Sequence, residues 1–330
     1  MPNCKIIGWY DRNNIGDESY KLAFPKLFTG TDFDFEDKIS EPDICIVGGG
    51  DILNEHYVRR ALNTSCKKRF AISVSAGDQA PLELLKELDG VYIRDVRSEK
   101  HLKDNGVPCT FMPDVAVCLE PNREAGIKFI EKRFAEEKLE LYERKIGLVF
   151  NAHLMRAKDG LLSRDFVNFL KAVQDIAKVM DNTSASFILF PMSTQMPYDD
   201  RVPNAYLANH CKFWNKNLTI LDRPSVQETL DLISVCDAVI STRLHSSVFS
   251  VISHTPFVDI VHHDKNRSFL ETTHLEGYSL PYWSFCFEGL KSSLDSALSN
   301  HEARSQKLRW THQHLLDTLK REARNVRFVE

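Results

Sequence analysis

Arg243 and His245 lie two residues apart in this chain, directly after a short apolar run, and Ser246 and Ser247 follow them. Arginine can hold a carboxylate or a phosphate with two parallel hydrogen bonds, and histidine transfers protons near neutral pH. If a helix begins here, its free N–H groups also favour an anion. The segment therefore predicts an anion site with a proton-transfer group. A histidine that only completes hydrogen bonds at a strand end is the structural alternative.

A polar loop follows the first predicted strand and supplies four candidate cleft residues, Asn14, Gly16, Asp17 and Glu18. Acidic residues in the first turn of a helix suit the helix macrodipole, so helix capping would account for Asp17 and Glu18. The same loop follows the carboxyl end of a strand, where open parallel sheets bind ligands. Both interpretations stay open on the sequence.

Three consecutive glycines, at 48–50, separate a second buried strand from Asp51. Glycine lets backbone N–H groups approach a ligand closely, so Gly49, Gly50 and Asp51 are further candidates for the cleft. The segment lacks the lysine of a Walker loop and the spacing of a dinucleotide fingerprint. A tight turn between strand and helix is the structural alternative.

Other polar side chains at strand ends give weaker signals. Arg94 follows a predicted strand and faces the cleft in one interpretation, or pairs on the surface with Asp95 or Glu99 in the other. His262 and His263 are adjacent on an extended segment, so their side chains point in opposite directions. No metal site is predicted.

Short β-branched runs alternate with amphipathic patterns along the chain. Strands are predicted at 4–9, 44–47, 69–74, 91–94, 109–112, 146–150, 186–190, 218–221, 238–241 and 257–261. Helices are predicted at 17–27, 52–63, 82–88, 98–105, 122–145, 163–180, 203–214, 225–235 and 245–253. Two βα series separated by one charged helix predict an α/β fold with two Rossmann-like domains facing a cleft. The predicted parts are residues 1–144, 145–290 and a helical tail, 291–330, that packs back on the first domain.

Composition limits the class of protein. The 330 residues carry 42 Lys and Arg against 46 Asp and Glu, a formal charge of −4, which excludes nucleic-acid binding by bulk positive charge. The eight cysteines have no zinc-site spacing. The chain has no apolar run long enough to span a membrane and no secretory signal at its start, so a cytoplasmic location is predicted.

Taken together, these segments resemble the polysaccharide pyruvyl transferase family. The matching elements are Asn-Ile-Gly-Asp-Glu at 14–18, Gly-Gly-Gly-Asp-Ile-Leu at 48–53, Arg94-Asp95, Pro113-Asp114 and Ser-Thr-Arg-Leu-His at 241–245, with the onward spacing to Pro256 and Lys265. Their order is kept over nearly the whole chain.

The resemblance implies two domains arranged as in GT-B glycosyltransferases and transfer of pyruvyl from phosphoenolpyruvate to a sugar hydroxyl as a ketal. It implies neither a metal nor a tightly bound cofactor. Arg243 would hold the donor, and His245 would protonate the enol carbon or assist departure of phosphate. The donor-side candidates are Arg243, Ser246, Ser247, Asn151, Arg156 and Lys265.

One departure from the family pattern leaves the donor open. Family members often carry an arginine just after the first strand of the second domain, where this chain has Asn151 and reaches Arg156 only later. Either Arg156 substitutes or the donor differs. A nucleotide-sugar-dependent glycosyltransferase acting on a glycan, or on a hydroxylated DNA base contacted by basic residues at 67–69 and in the tail, is therefore an alternative. A non-enzymatic module that binds sugars or nucleotides is a second alternative.

Overall fold

The β-branched runs form two separate parallel sheets, each with six strands. The structure is a computed structural model, and it describes residues 1–155, 164–326 and 328. Strands with both faces buried are typical of parallel sheets covered by helices. β3, for example, is buried at all seven positions, Ile44–Gly50.

The first sheet has the strand order β2-β1-β3-β4-β5-β6. Its strands are β1 (Asn3–Ile7), β2 (Asp32–Asp34), β3 (Ile44–Gly50), β4 (Lys68–Val74), β5 (Gly90–Ile93) and β6 (Thr110–Phe111). The helices between them are α1 (Ile15–Leu27), α2 (Glu55–Leu62), α3 (Leu82–Leu85) and α4 (Val96–Asp104). The order reverses between β1 and β3, so the loops after these two strands diverge and leave a crevice.

The second sheet has the strand order β12-β11-β10-β7-β8-β9. Its strands are β7 (Lys145–Val149), β8 (Ser186–Leu189), β9 (Asn217–Thr219), β10 (Ala238–Ser241), β11 (Phe257–Val261) and β12 (Ser279–Pro281). Its helices are α6 (Arg164–Asp181), α7 (Arg201–Ala208), α8 (Val226–Ser234), α9 (Leu244–Ser253), α10 (Asp264–Thr273) and α11 (Phe287–Ser299). Here the order reverses between β7 and β10.

The chain crosses between the two halves twice. α5 (Arg123–Glu136) leaves the first sheet and packs against α8 of the second half. The approach is close, because a Cβ on Gly126 would overlap the carbonyl oxygen of Asp231. At its start, the backbone N–H of Asn122 donates to Oδ1 of Asp231 at 2.6 Å.

The second crossing is the last helix, α12 (His301–Asn325). α12 packs along α9 and against the 3₁₀ turn Val115–Cys118, which follows the first sheet. Beyond its end, the ring of Phe328 lies 4.8 Å from Phe28 and 5.7 Å from Phe70, between ring centroids. The carboxyl end of the chain therefore completes the aromatic cluster of the first half.

Backbone and side-chain hydrogen bonds join the halves on two sides of the cleft. On one side, the N–H of Ile15 donates to the carbonyl of Met192 at 2.8 Å. On the other, the two N–H groups of the Arg97 fork donate to the carboxylate of Glu271, each at 2.5 Å. No helix of the described residues is long and apolar enough to cross a membrane.

The two sheets confirm the predicted α/β fold with two Rossmann-like domains and a returning terminal helix. Several details were wrong. Helix α10 (Asp264–Thr273) was not predicted, and the three glycines expected to separate β3 from a helix belong to β3 itself. The edge strands β2 and β12 were missed, because each has only three residues. The helix predicted at 122–145 ends at Glu136, and the predicted tail helix is two helices, α11 and α12, separated at Asn300. The exact division at 144 and 290 stays a prediction.

Candidate functional site

A cavity of about 370 Å³ lies between the two sheets, at the carboxyl ends of their strands. It meets both positions where the strand order reverses, between β1 and β3 and between β7 and β10, which is where open α/β sheets bind ligands. The sequence-predicted residues that line it are Asn14, Asp17, Gly50, Asp51, Arg94, Asn151, Arg243, His245 and Lys265. Loops that are distant in sequence therefore meet at this cavity.

His245 lies in the first turn of α9 and reaches across to the first domain. Its Nε2 lies 3.5 Å from Oδ2 of Asp114 and 3.3 Å from the hydroxyl oxygen of Tyr20. The His245 side chain is 13% exposed and that of Asp114 is 5% exposed, so water screens the pair little. The carboxylate and the hydroxyl therefore fix the position of the imidazole ring at the edge of the cavity.

Hydrogen bonds around the Tyr20 hydroxyl define which nitrogen of His245 carries the fixed proton. Tyr20 donates to Asp114 at 2.9 Å and accepts from Nη1 of Arg94 at 2.8 Å. The single hydroxyl proton is then used, so towards His245 the oxygen can only accept. Nε2 of His245 therefore bears hydrogen, and Nδ1 is the nitrogen that can gain or lose a proton. Nδ1 forms no hydrogen bond within the described part of the chain.

Arg94 belongs to this network rather than to the surface. Its Nη1 donates to Oδ2 of Asp114 at 2.9 Å, and its Nε donates to the hydroxyl of Ser75 at 2.8 Å. Burial alone would raise the pKa of Asp114, but His245 and Arg94 together hold that pKa well below its usual range. The surface pairs with Asp95 and Glu99 are not formed. Asp114 stays ionised at neutral pH.

Gly16 provides the space in which the imidazole lies. A Cβ at this position would overlap Nδ1 of His245. Asn14, two residues earlier, caps α1 by accepting from the N–H of Gly16 at 3.2 Å. The loop therefore caps α1 and also packs closely around His245, so the helix-capping and the cleft interpretations both apply.

Arg243 is held by a buried carboxylate on the β8–α7 loop. Its Nε and Nη2 donate to the two oxygens of Asp200, at 3.1 Å and 2.5 Å. Asp200 is fully buried and also accepts from the backbone N–H groups of Ala152, Met192 and Ser193. Burial raises the pKa of Asp200, and the Arg243 charge opposes this shift. One edge of the guanidinium is thereby fixed, and Nη1 stays available to a ligand.

Lys265 presents a second positive charge, from the first turn of α10. No hydrogen bond or ion pair joins its ammonium group to any residue that the structure describes. Burial lowers the pKa of Lys265, while the carboxylates of Asp51 and Asp17 oppose that shift. The amino ends of α9 and α10 both lack a side-chain cap, so their first N–H groups add positive potential. This wall of the cavity favours an anion.

The opposite wall carries two carboxylates. Burial raises the pKa of Asp17 to about 6, against the opposing charges of His245, Lys265 and Arg94. Neither Asp17 nor Asp51 has a hydrogen-bond partner among the described side chains. Carboxylates with free lone pairs accept hydrogen bonds from hydroxyl groups. The cavity is therefore cationic on the second-domain side and acidic on the first.

The two adjacent histidines behave differently from a metal site. Nε2 of His262 lies 3.2 Å from the side-chain nitrogen of Asn151, and burial lowers the pKa of His262 to about 3. His263 caps no group and lines the cavity with His262. Over residues 1–155 and 164–326, no three His, Cys, Asp or Glu side chains are grouped so that they could hold a metal ion.

Several candidate side chains do not line the cavity. Ser246 and Ser247 are fully buried, and the Ser247 hydroxyl donates to Asp259 at 2.9 Å. Glu18 pairs with Lys21 at 3.0 Å, and Gly49 packs against the ring of Tyr20. Only the amino end of α9, not its serine hydroxyls, faces the ligand space. Arg156 lies outside the described residues.

Sequence reasoning did not find Tyr20 and Asp200, and it noted Asp114 only within the Pro-Asp pair of the resemblance. Tyr20 lies within α1 and Asp200 directly before α7, so neither occupies a strand end. Asp114 has a local signal, because it caps the turn Val115–Cys118 by accepting from the N–H of Ala116 at 3.0 Å. An aspartate that caps a buried turn beside a cleft would have been the signal to follow.

A family model for polysaccharide pyruvyl transferases matches residues 2–264. No curated protein matches the chain by sequence. The matched range includes the loops after β1 and β3, Arg94, Asp114 and the Arg243–His245 segment.

Several solved structures share the fold over most of their length. The chain is similar to S. aureus MnaA in its UDP co-structure, with a TM-score of 0.61, 7% identity and coverage of 99% of this chain and 98% of that one. It is similar to the UDP-GlcNAc 2-epimerase from Neisseria meningitidis bound to UDP-GlcNAc, with a TM-score of 0.56, 9% identity and coverage of 97% and 100%. It is also similar to the α,α-trehalose-phosphate synthase (UDP-forming) from Burkholderia xenovorans, with a TM-score of 0.56, 11% identity and coverage of 97% and 80%. These likenesses confirm the predicted GT-B-like arrangement.

Proposed function

We propose that this chain, which belongs to the polysaccharide pyruvyl transferase family and is a transferase, transfers pyruvyl from phosphoenolpyruvate to a sugar as a cyclic ketal. The observation that carries the proposal is the composition of the cavity walls. Lys265, Arg243 and two uncapped helix ends form the cationic wall, and His245 lies beside them. A donor with two anionic groups and a bond that breaks under protonation fits this arrangement.

The donor's two anions have distinct partners on the cationic wall. Phosphoenolpyruvate carries a carboxylate and a phosphate on the same carbon. Nη1 of Arg243 and the ammonium of Lys265 are cationic donors on this wall, and neither has an acceptor among the described residues. The helix ends provide backbone N–H groups for a phosphate. In this proposal no metal is needed to neutralise the donor, because the protein supplies the positive charge.

His245 is the proton donor in the proposed reaction. Its protonated Nδ1 gives a proton to the methylene carbon of the enol, which becomes a methyl group, and the adjacent carbon becomes an electrophilic cation. One sugar hydroxyl oxygen bonds to that carbon, the bond to the phosphate oxygen breaks, and a second hydroxyl oxygen closes the ketal. The two hydroxyl protons restore His245 and protonate the departing phosphate. Asp114, 3.5 Å from Nε2 of His245, keeps the ring in position through the reaction.

A nucleotide-sugar donor is the second candidate, because an uncapped helix end at the switch point also suits a pyrophosphate. Arg243 and Lys265 beside His245 support phosphoenolpyruvate as the donor, because its carboxylate and its phosphate are both small anions. Neither basic segment considered for a DNA acceptor, at 67–69 or in α12, lines this cavity.

Direct titration separates the two donors. Phosphoenolpyruvate and UDP-GlcNAc are each titrated calorimetrically into the wild type, Lys265→Met and the control Lys291→Met, whose lysine pairs with Asp295 on α11. Loss of one charge-assisted hydrogen bond, about 1.5–3 kcal/mol, should weaken phosphoenolpyruvate binding roughly ten- to hundredfold in Lys265→Met only. If the wild type binds UDP-GlcNAc but does not bind phosphoenolpyruvate, the proposal is overturned in favour of a glycosyltransferase.

A cytoplasmic location is proposed alongside the function. All eight cysteines are unpaired, and five of them are buried. Proteins of reducing compartments keep their thiols unpaired. Alkylation of the denatured protein taken directly from cells should therefore modify all eight thiols without prior reduction.

A further inference from the structure

A second chamber opens next to the donor cavity. Its volume is about 640 Å³, and Asp51, Asn54, His263 and Lys265 line both spaces. Because four residues are shared, the chambers meet rather than lie apart. A ligand in the second chamber would extend to the edge of the donor cavity, where Lys265 and Asp51 stand.

The remaining wall of the chamber is formed by loop 75–80, after β4, and by the starts of α4 and α10. Asp78 and Gln79 at the tip of this loop are exposed, and neither side chain has an internal partner in the described structure. With Asp51 they offer two free carboxylates and one free amide. These groups accept hydrogen bonds, and the amide also donates them.

Positive charge is almost absent beyond Lys265. The Arg97 fork is neutralised by Glu271, with both hydrogen bonds at 2.5 Å. Burial and the neighbouring Lys265 lower the pKa of His263, so this imidazole is neutral at pH 7. An anionic ligand in the chamber would face Asp51 and Asp78, and the arginine that lines the described part of the far wall, Arg97, is already paired with Glu271.

We propose that this second chamber is the acceptor subsite and that it binds an uncharged saccharide carrying a free diol. The proposal rests on the function proposed above and identifies the class of acceptor. Hydroxyl groups of the sugar would donate to Asp51, Asp78 and the Gln79 carbonyl oxygen. The volume lies within the range of about 300–1,000 Å³ typical of small-molecule sites, and the diol would meet the donor carbon at the junction.

Two sugars that share a diol but differ in charge test the chemistry of the chamber. Methyl α-D-glucopyranoside and α-D-glucose 1-phosphate both have free 4- and 6-hydroxyls, and only the second is an anion. Binding of each is measured by saturation-transfer NMR with the wild-type protein, with phosphoenolpyruvate present. We expect the Kd of the methyl glucoside to be lower than that of glucose 1-phosphate by at least about tenfold.

Two variants locate the binding. Gly77 lines the chamber, and a Cβ there meets nothing within 4 Å, so Gly77→Trp fills space without strain on the backbone. Gly277 is likewise open but lines neither chamber, so Gly277→Trp is the matched control. We expect Gly77→Trp to lose glucoside binding at least roughly tenfold and to bind phosphoenolpyruvate within about twofold of the wild type. Asp78→Asn should narrow the preference for the uncharged sugar.

The outcomes separate this inference from the proposed function. Failure of the wild type to bind phosphoenolpyruvate would count against the function itself. If phosphoenolpyruvate binds but the glucoside gives no signal, or binds equally to Gly77→Trp and the wild type, the chamber is not the acceptor subsite. Preferential binding of glucose 1-phosphate would overturn the assignment to an uncharged sugar. Should Gly77→Trp not fold, the Asp78→Asn comparison still decides, because an unchanged preference contradicts the proposal.

Discussion

At the scale of single residues, the acid–base pair of the site is divided between the domains. His245 comes from the second domain, and Asp114 comes from the first. The proposed proton transfer therefore depends on the relative position of the two domains, because the 3.5 Å contact between Nε2 of His245 and Oδ2 of Asp114 crosses from one to the other.

Replacing His245 tests its role in proton transfer. We expect His245→Ala to lower kcat by about 10²–10⁴-fold, the usual effect of removing a general acid, and to change the Kd for phosphoenolpyruvate much less. Steady-state kinetics and calorimetry measure the two quantities. The control is His314→Ala, which removes a histidine that stacks on Trp310 in α12, away from the cavity. A folded His245→Ala variant with nearly normal turnover would remove His245 from the mechanism.

Gly16 allows a test of position without removal of a chemical group. Gly16→Ala places a methyl group where Nδ1 of His245 lies, so the ring must move from Asp114. Overpacking costs about 1–3 kcal/mol of stability, and we expect kcat to fall with a shifted pH profile. Gly277→Ala, which adds a methyl group in open space outside both chambers, should leave kcat unchanged. Equal kinetics for the two variants would show that the ring does not need this position.

Arg243, His245 and the cavity-facing loops could be predicted from the sequence because each follows a buried strand, and all strands of a parallel sheet end at one edge. Tyr20 and Asp200 could not, since no local pattern marks them. They belong to the site only because α1 and the β8–α7 loop approach it from outside the strand-end series. The prediction that the Ser246 and Ser247 side chains face the donor was not met for a related reason. A helix start faces a ligand with its N–H groups, while its side chains can point into the core.

At the scale of elements, the β8–α7 loop holds the second domain's share of the site together. Asp200 in this loop binds Arg243 after β10 and the backbone at Ala152 after β7. A single buried carboxylate thus sets the relative position of three strand ends. The β8–α7 loop, which no sequence pattern marks, therefore positions Arg243 on the cationic wall.

Asp200→Asn tests this element. The amide keeps the size of the side chain but loses the charge that holds the arginine fork, and charge-assisted hydrogen bonds contribute about 1.5–3 kcal/mol. We expect the KM for phosphoenolpyruvate to rise roughly tenfold or more, with a smaller change in kcat, since His245 is untouched. Asp199→Asn, which removes a carboxylate paired with Arg201 at the neighbouring position, is the matched control. A fall in kcat at unchanged KM would contradict the positioning role.

The contact of α5 with α8 depends on the absence of a side chain. Gly126→Ala would press a methyl group against the carbonyl oxygen of Asp231, and we expect the free energy of unfolding to fall by about 1–3 kcal/mol, measured by urea titration. An alanine normally favours a helix interior over glycine. Higher stability of the variant would therefore mean that α5 does not pack this closely.

Helix and strand order were predictable because both periodicities are strong along the chain. Element ends were not, as α5 shows. The charged stretch after Glu136 keeps helix-forming residues, but Lys138 takes a positive φ of 54° and the backbone turns towards β7. Tertiary contact, here the N–H of Glu140 donating to the carbonyl of Asn215 at 2.8 Å, decides the boundary.

At the scale of the whole molecule, a histidine pair joins α9, α12 and the first domain. Nε2 of His312 lies 2.9 Å from the carbonyl of Val117, so it donates there, and Nδ1 of His312 can accept from Nε2 of His254 at 3.2 Å. Burial lowers the pKa of His254 to about 4 and also lowers that of His312. Both rings are therefore neutral in the folded protein near pH 7.

The pair predicts a loss of stability on acidification. A histidine with a lowered pKa in the folded state stabilises the fold above its unfolded pKa, about 6.5. The unfolded chain takes up protons first as the pH falls, so this contribution is lost between about 6.5 and the folded value of about 4. In urea titrations of His254→Asn we expect the free energy of unfolding to depend less steeply on pH in this window, because the titrating imidazole is gone. Asparagine is chosen because it tolerates the left-handed backbone at φ 57°. An unchanged slope would mean that other groups cause the loss.

The contact of Phe328 with Phe28 and Phe70 has a consequence for biosynthesis. Chains emerge from the ribosome amino end first, and domains generally fold in that order. The first domain of this protein would emerge without the aromatic ring and the helix that close its core. Its aromatic cluster is therefore complete only after α12 and Phe328 have been synthesised, and a stop codon placed before α12 would remove contacts from both domains.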